Sequence, residues 1–191
     1  LLSQTQEQAR QLEEQPEELT QSQEELLTQQ RELTVQREQL KISEERSRLI
    51  LESSAEGIFG TDAEGRITFV NPAACRMLGF TAEELLGQPS HAAFHHHHPD
   101  GSDYPKEECP MFAAYTQGKA SRIDDEYLWR KDGVGVPVEY GATPILKDGA
   151  IVGAVISFTD ITERKRIEQA LAASERKTRR ILETSNEGFW L

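Results

Sequence analysis

Two different spacings of apolar residues divide the chain. In residues 1–56 apolar positions are sparse, and Leu12, Leu19, Leu26, Leu33 and Leu40 recur every seventh residue on a background of Gln, Glu and Arg, with no aromatic residue and no glycine. A strict interval of seven keeps one seam of a helix turned toward a partner, so residues 1–48 are expected to form a coiled coil that pairs with a second copy; the alternative is a single solvated helix. The seam is thin. Its companion positions are Ala9, Pro16, Gln23, Gln30 and Arg37, which leaves about one apolar layer per heptad, so a neighbouring domain must help to hold the dimer. Pro16 lacks an amide hydrogen and clashes with the preceding turn, which predicts a kink or a fresh helix start.

From Gly57 the period shortens and aromatic, β-branched and glycine residues appear together. Residues 57–61 and 66–70 flank an Asp-Ala-Glu-Gly turn and predict a hairpin. Asn71-Pro72 is a helix start, with Asn as cap and Pro in the first turn, and Gly79 is its stop. Thr81-Ala-Glu-Glu84 reads as a capping box opening a short helix that closes at Gly87. Residues 88–106 read as irregular, and 107–117 as a helix turning Met111, Phe112 and Tyr115 inward. Three strands follow, separated by Lys-Asp-Gly turns at 131–133 and 147–149. In the second, Val134, Val136, Val138 and Tyr140 alternate, so one face is buried; the third, 151–159, is apolar almost throughout. Asp160-x-x-Glu163 then predicts a capped helix through Ile167, Leu171 and Ile181. This order fits an α+β fold, a five-stranded antiparallel sheet with short helices on one face and long helices at both ends.

An internal repeat sets the organisation. Ser43–Gly60 and Ser174–Leu191 align at an offset of 131 with nine of eighteen positions identical, an interval of one domain plus its linker. The expected divisions are a helix over 1–48, a sensor-sized domain over 49–161, a linker helix over 162–183 and the start of a second such domain at 184–191. The net charge of −12 argues against nucleic acid and against contact with an anionic membrane face. No apolar run nears the ~20 residues that cross a bilayer. Cys75 and Cys109 lack a CxxC spacing, which fits reduced thiols in a cytoplasmic setting rather than a disulfide framework.

Five motifs occur together in order: Glu56-Gly-Ile-Phe, Gly65-Arg-Ile-Thr-Phe-Val-Asn-Pro-Ala, Met77-Leu-Gly-Phe-Thr-Ala-Glu-Glu-Leu-Leu-Gly, Trp129-Arg-Lys-Asp-Gly, and Val152-Gly-Ala-Val-Ile-Ser-Phe-Thr-Asp-Ile-Thr-Glu-Arg-Lys. Over residues 44–165 they resemble the PAS domain family, the last motif resembling the exit that joins a PAS core to its output helix. The resemblance implies a sensory or dimerisation role in a multidomain regulator, a sensor histidine kinase or a cyclic-dinucleotide enzyme, linked to a further PAS domain and an output domain of the same chain. It also implies that Asp160, Thr162, Glu163 and Arg164 form the signal exit. Flavin photochemistry is not expected, because the blue-light motif around its reactive cysteine is absent; Cys75 reads as a buried helix cysteine facing the sheet.

All five histidines lie between 91 and 98, followed by Pro99-Asp-Gly, Tyr104-Pro and Cys109-Pro. Two readings stand. In one, these imidazoles are surface groups and turn caps of a solvated loop. In the other, His91 and His95 share a helical face at i and i+4 and, with Cys109, chelate zinc or iron, His96 or Asp100 completing the site; haem ligation is a further variant. Phe59, Phe69, Phe94, Met111, Tyr115, Tyr127, Trp129, Tyr140 and Phe158 are candidates to line a ligand pocket. No nucleophile with its base, paired carboxylates or phosphate loop is evident, so this stretch is not expected to be an enzyme. It reads as a ligand, metal or redox sensor, or as a ligand-free spacer that dimerises and relays strain.

Overall fold

The computed structural model describes the backbone of residues 2–187 and the side chains of residues 23–180. Leu12 and Leu19 of the expected seam, and residues 188–191 of the expected second domain, lie outside those limits. The chain divides into a first unit, Leu1–Ile50, and a second, Leu51–Leu191. Helix α1 spans Leu2–Ser53 without a break, so Pro16 does not begin a new helix. Leu26, Leu33 and Leu40 are each more than half exposed.

The second unit is built on one antiparallel sheet of β1 (Gly57–Asp62), β2 (Ile67–Val70), β3 (Ser121–Trp129), β4 (Gly135–Lys147) and β5 (Ala150–Asp160), in the order β2-β1-β5-β4-β3. The five-stranded sheet with helices on one face is the fold expected. Asp148 and Gly149 both take positive φ, 52° and 80°, and Lys147 pairs with Ala150. That is the two-residue turn whose twist matches the flanking strands. Val134 precedes β4 in its turn and is 56% exposed, so the buried alternation begins only at Val136. At Gly153 (φ 155°) a Cβ would stand 1.9 Å from the Thr61 carbonyl oxygen; only glycine lets β1 and β5 approach so closely.

Short helices cover one face of the sheet. Helix α2 (Pro72–Leu78) is capped by Asn71 and stops at Gly79 with φ 75°. Helix α3 (Ala82–Leu85) opens with the expected Thr81–Glu84 capping box. The stretch 88–106 is not wholly irregular, for α4 spans Ser90–Phe94. The next helix does not start at 107: a 3-10 turn at Lys106–Glu108 leads into α5 (Pro110–Gln117). The residue before a proline is held out of the helical region, and Cys109 is accordingly extended at φ −71°, ψ 123°. The core between the layers holds Phe59, Leu128, Val138, Ile156 and Phe158 from the sheet, and Leu78, Leu85, Phe94 and Met111 from the helices. Helix α6 (Thr162–Glu187) leaves β5 after one residue and runs past the expected limit at 183.

Candidate functional site

His91 lies in α4 and His95 caps its C-terminal end, one turn apart on one face, and both turn into the domain beside Cys109 at the cap of α5. Their nitrogen and sulfur ligand atoms all lie within 4.8 Å of one another. Nε2 of His91 is 2.7 Å from the Tyr104 carbonyl oxygen. A carbonyl only accepts, so Nε2 carries a hydrogen, and in the neutral ring Nδ1 is a lone pair. That Nδ1 is buried with no hydrogen-bond partner. His95 is 0% exposed, its Nδ1 3.1 Å from Cys109 Sγ and its Nε2 3.8 Å from Glu126 Oε2. The second distance is too long for a hydrogen bond. Tyr104 donates its hydroxyl to the same Glu126 oxygen at 3.4 Å, and the Tyr140 hydroxyl is buried with no partner.

The electrostatics follow from this enclosure. Burial drives His95 down, but its hydrogen bond to Cys109 and the negative charges of Cys109 and Glu126 outweigh that and hold it up at about 9. Burial drives the Cys109 thiol up, and the His91 and His95 rings outweigh it in turn, bringing it down to about 6. These directions favour an imidazolium paired with a thiolate, and burial, with the nearby charges of Glu126 and Cys109, pushes the Tyr104 and Tyr140 phenols well above their usual range.

The histidine run divides between the two readings of the sequence. His96 does not join the cluster: α4 ends at Phe94, the chain leaves the helical face, and the His96 ring stacks on Trp129 with its Nδ1 against that of His97. Asp100 is also elsewhere, accepting from the Ser102 amide and hydroxyl in the loop. His97 and His98 lie in the same loop, His97 beside Asp103 and His98 stacked on the Tyr104 ring. Cys75 is half-buried, not buried, because Ala74 and Leu78 take the inward positions of α2.

Six of the nine pocket candidates, Phe59, Phe94, Met111, Tyr115, Tyr140 and Phe158, meet in the core. Phe69, Tyr127 and Trp129 do not. They lie on the opposite face: a register shift between β1 and β2 sets Phe69 over Gly60, where a Cβ would come within 2.2 Å of its ring, although Ile67 two residues before it is buried, and alternation puts Tyr127 and Trp129 on either side of the buried Leu128.

Pattern reading of the sequence missed Glu126. In β3 the register passes from Ile123↔Tyr140 to Glu126↔Val138, so Asp124 and Asp125 together face Glu139. This β-bulge shifts the parity of the strand and turns Glu126 inward. The signal for it was the Asp-Asp pair interrupting the alternation.

The same bulge holds the exit. Asp160 accepts from the Thr162 amide at 2.7 Å, while Glu163 pairs forward with Arg166 instead of closing a box onto Asp160. Ile161 is buried and donates its amide to the Pro137 carbonyl. Arg164 donates to Glu139 at 2.8 Å and reaches the Asp124 carbonyl. Lys165 pairs with Asp125 and sits 5.3 Å from the centre of the Tyr127 ring. The first turn of α6 is therefore clamped to the outer face of β3 and β4, behind the His–Cys cluster.

Residues 55–163 match the signature of the PAS domain, and the chain belongs to the PAS domain family. Over 127 residues, 66% of this chain and 11% of the relative, it is 31% identical to the probable diguanylate cyclase DgcE of Escherichia coli (strain K12). It is 28% identical to the histidine-protein kinase AtoS of the same organism over 131 residues, 67% of this chain and 20% of AtoS. The chain thus spans a fifth or less of these curated relatives. Among solved structures, a PAS domain from Colwellia psychrerythraea superposes with a TM-score of 0.52 at 25% identity, covering 64% of this chain and 98% of that one. The PAS domain of an HTR-like protein from Haloarcula marismortui, at 21% identity, gives 0.52 over 66% of this chain and 98% of its own, a likeness of fold.

Proposed function

We propose that this chain is the sensory and relay segment of a larger signalling protein, reading a ligand, metal or redox state in the cluster between α4, α5 and β3 and passing it to an output domain through α6. The observation that carries the reading is the bulge at Asp124–Asp125. One strand segment offers Glu126 to the interior and Asp124, Asp125 and Tyr127 to the exit helix, so a shift of Glu126 toward or away from His95 moves the seat of α6 with it. A ligand-free spacer is disfavoured by the unpartnered buried atoms His91 Nδ1, His95 Nε2 and Tyr140 Oη, since a core that only packs does not keep orphaned polar groups.

The module works as a homodimer. The exposed leucines of α1 repeat with the heptad that a second copy of the same helix complements. By kinship with AtoS and DgcE the output is a histidine kinase phosphorelay or a cyclic-dinucleotide activity, on the cytoplasmic side. No described helix is long and apolar enough to cross a membrane.

The test is a fusion of this chain, in heptad phase, to a histidine kinase core. Arg164→Ala combined with Lys165→Ala should change autophosphorylation several-fold while the PAS unit unfolds at nearly the same temperature. Equal kinase activity in the parent fusion, the double variant and a variant lacking Asp125 would refute the relay.

A further inference from the structure

Resting on that reading of where the module senses, we infer that the cluster is a metal site: His91 Nδ1, His95 Nδ1 and Cys109 Sγ bind one zinc-class divalent cation, with Glu126 and the Tyr104 carbonyl orienting the two imidazoles. The inference changes the ligand set that the sequence suggests, removing His96 and Asp100 and adding an outer pair.

Three observations carry it. First, the donor set is two imidazoles and a thiolate, within 4.8 Å of one another. A tetrahedral zinc with bonds of about 2.0–2.3 Å separates its ligand atoms by roughly 3.4–3.7 Å, so shifts of about 1 Å close the site. Second, the Tyr104 carbonyl engages His91 Nε2, which leaves the buried Nδ1, without a hydrogen-bond partner, as the ring's atom free to ligate. Third, groups of the kind that orient ligating histidines stand beside both: a backbone carbonyl hydrogen-bonded to His91 and, at 3.8 Å from His95 Nε2, the Glu126 carboxylate.

Iron and zinc share such donors, but a neutral-nitrogen and thiolate set suits the softer ion, and carboxylate is absent from the inner shell. A haem does not suit the geometry, because Tyr104, His91 and Tyr140 enclose His95 edge-on at 4.7–6.1 Å between ring centres, where the macrocycle would lie. Among the described residues no fourth His, Cys, Asp or Glu joins the cluster, which leaves one coordination position for water or a small ligand.

The experiment uses the 191-residue chain without an affinity tag, stripped of metal and titrated with zinc, then with cobalt as a spectroscopic stand-in, against a chromophoric chelator. One zinc per chain should bind, cobalt should give a thiolate charge-transfer band with tetrahedral intensity, and bound zinc should protect Cys109 from alkylation. Cys109→Ser and His91→Gln should each weaken binding by on the order of 100-fold or more, and Glu126→Gln by about 10–100-fold, whereas His96→Gln should change it less than about twofold. Circular dichroism of each metal-free variant checks its fold, and the Glu126 and His96 variants carry the test should an inner-ligand variant unfold. Absence of zinc binding overturns the inference, as does binding that survives Cys109→Ser but falls with His96→Gln. Zinc that binds as described yet leaves the kinase fusion unmoved would keep the metal site and refute the relay; a fusion that responds without bound metal would do the reverse.

Discussion

Asn71 is 2% exposed, and its carboxamide satisfies four backbone groups at once. Oδ1 accepts from the amides of Ile58 and Ala74, each at 2.9 Å, and Nδ2 donates to the carbonyls of Leu51 at 3.1 Å and Glu56 at 2.9 Å. One side chain thus caps α2, fixes the first residues of β1 and holds the segment leading into the domain. Asn71→Ala removes the cap of α2, which costs about 1 kcal/mol, and strands the Ile58 amide, which adds about 1–3 kcal/mol. The two carbonyls lie near exposed residues and regain water, so the total is about 3 kcal/mol. For a domain of this size, with about 4–8 °C lost per kcal/mol, the midpoint should fall by roughly 12–24 °C. Urea unfolding followed by near-ultraviolet circular dichroism measures the loss, with an unchanged m-value as the sign that the native fold is retained. Asn71→Asp keeps the acceptor but sets a second carboxylate oxygen against two carbonyls, so it should destabilise as well, with partial recovery in acid as protonation restores a donor. A loss below about 1 kcal/mol for Asn71→Ala would mean that water substitutes for the carboxamide, and that this network does not organise the start of the domain.

Gly153→Ala forces a Cβ to within 1.9 Å of the Thr61 carbonyl at a φ of 155°; it should cost on the order of 3 kcal/mol, and a stability equal to the parent by thermal unfolding would contradict the β1–β5 register. In metal-free protein, thiolate absorbance of Cys109 should persist down to about pH 6 and retreat to the alkaline range in His95→Gln; a His95→Gln thiol still titrating near 6 would remove His95 as its partner. Because the Cys109 value is depressed, its contribution to stability is complete above its ordinary 9.0 and is lost as pH falls through about 6. That of His95, raised, is complete below its ordinary 6.5 and is lost as pH rises through about 9. The opposed slopes cancel between those limits, so the unfolding midpoint should be nearly flat from roughly pH 6.5 to 9, and a steep slope there would break the pairing. Arg164→Ala and Lys165→Ala, at exposed pairs, should each cost at most about 1 kcal/mol; a larger loss in denaturant titrations would make the clamp a structural element instead of a coupling one.

Local chemistry was the legible part. Asn71, Thr81 and Gly79 act through neighbours three or four residues away, and the hairpin turns are set by two or three residues, so caps and strands could be read directly. The i, i+4 spacing of His91 and His95 and its convergence with Cys109 were readable for the same reason. Facing was less accessible. Tyr127 and Trp129 looked like inward positions because their neighbours are charged, but the bulge at Asp124–Asp125 reverses the strand and gives the interior to Glu126 and Leu128. His96 was assigned by adjacency, whereas the helix ends one residue before His95 and sends the next ring to Trp129. The pairs Arg164–Glu139 and Lys165–Asp125 join residues 25 and 40 apart, and no local pattern encodes such a meeting.

The two-against-one count in β3 has a consequence for how this module can change. Excising one aspartate would restore an even ladder with Glu126 still opposite Val138 and still facing inward, while the departing helix would lose one of the two contacts that Asp124 and Asp125 make to Arg164 and Lys165. The extra residue therefore serves the departing helix, while pairing with β4 keeps Glu126 and Leu128 turned to the interior.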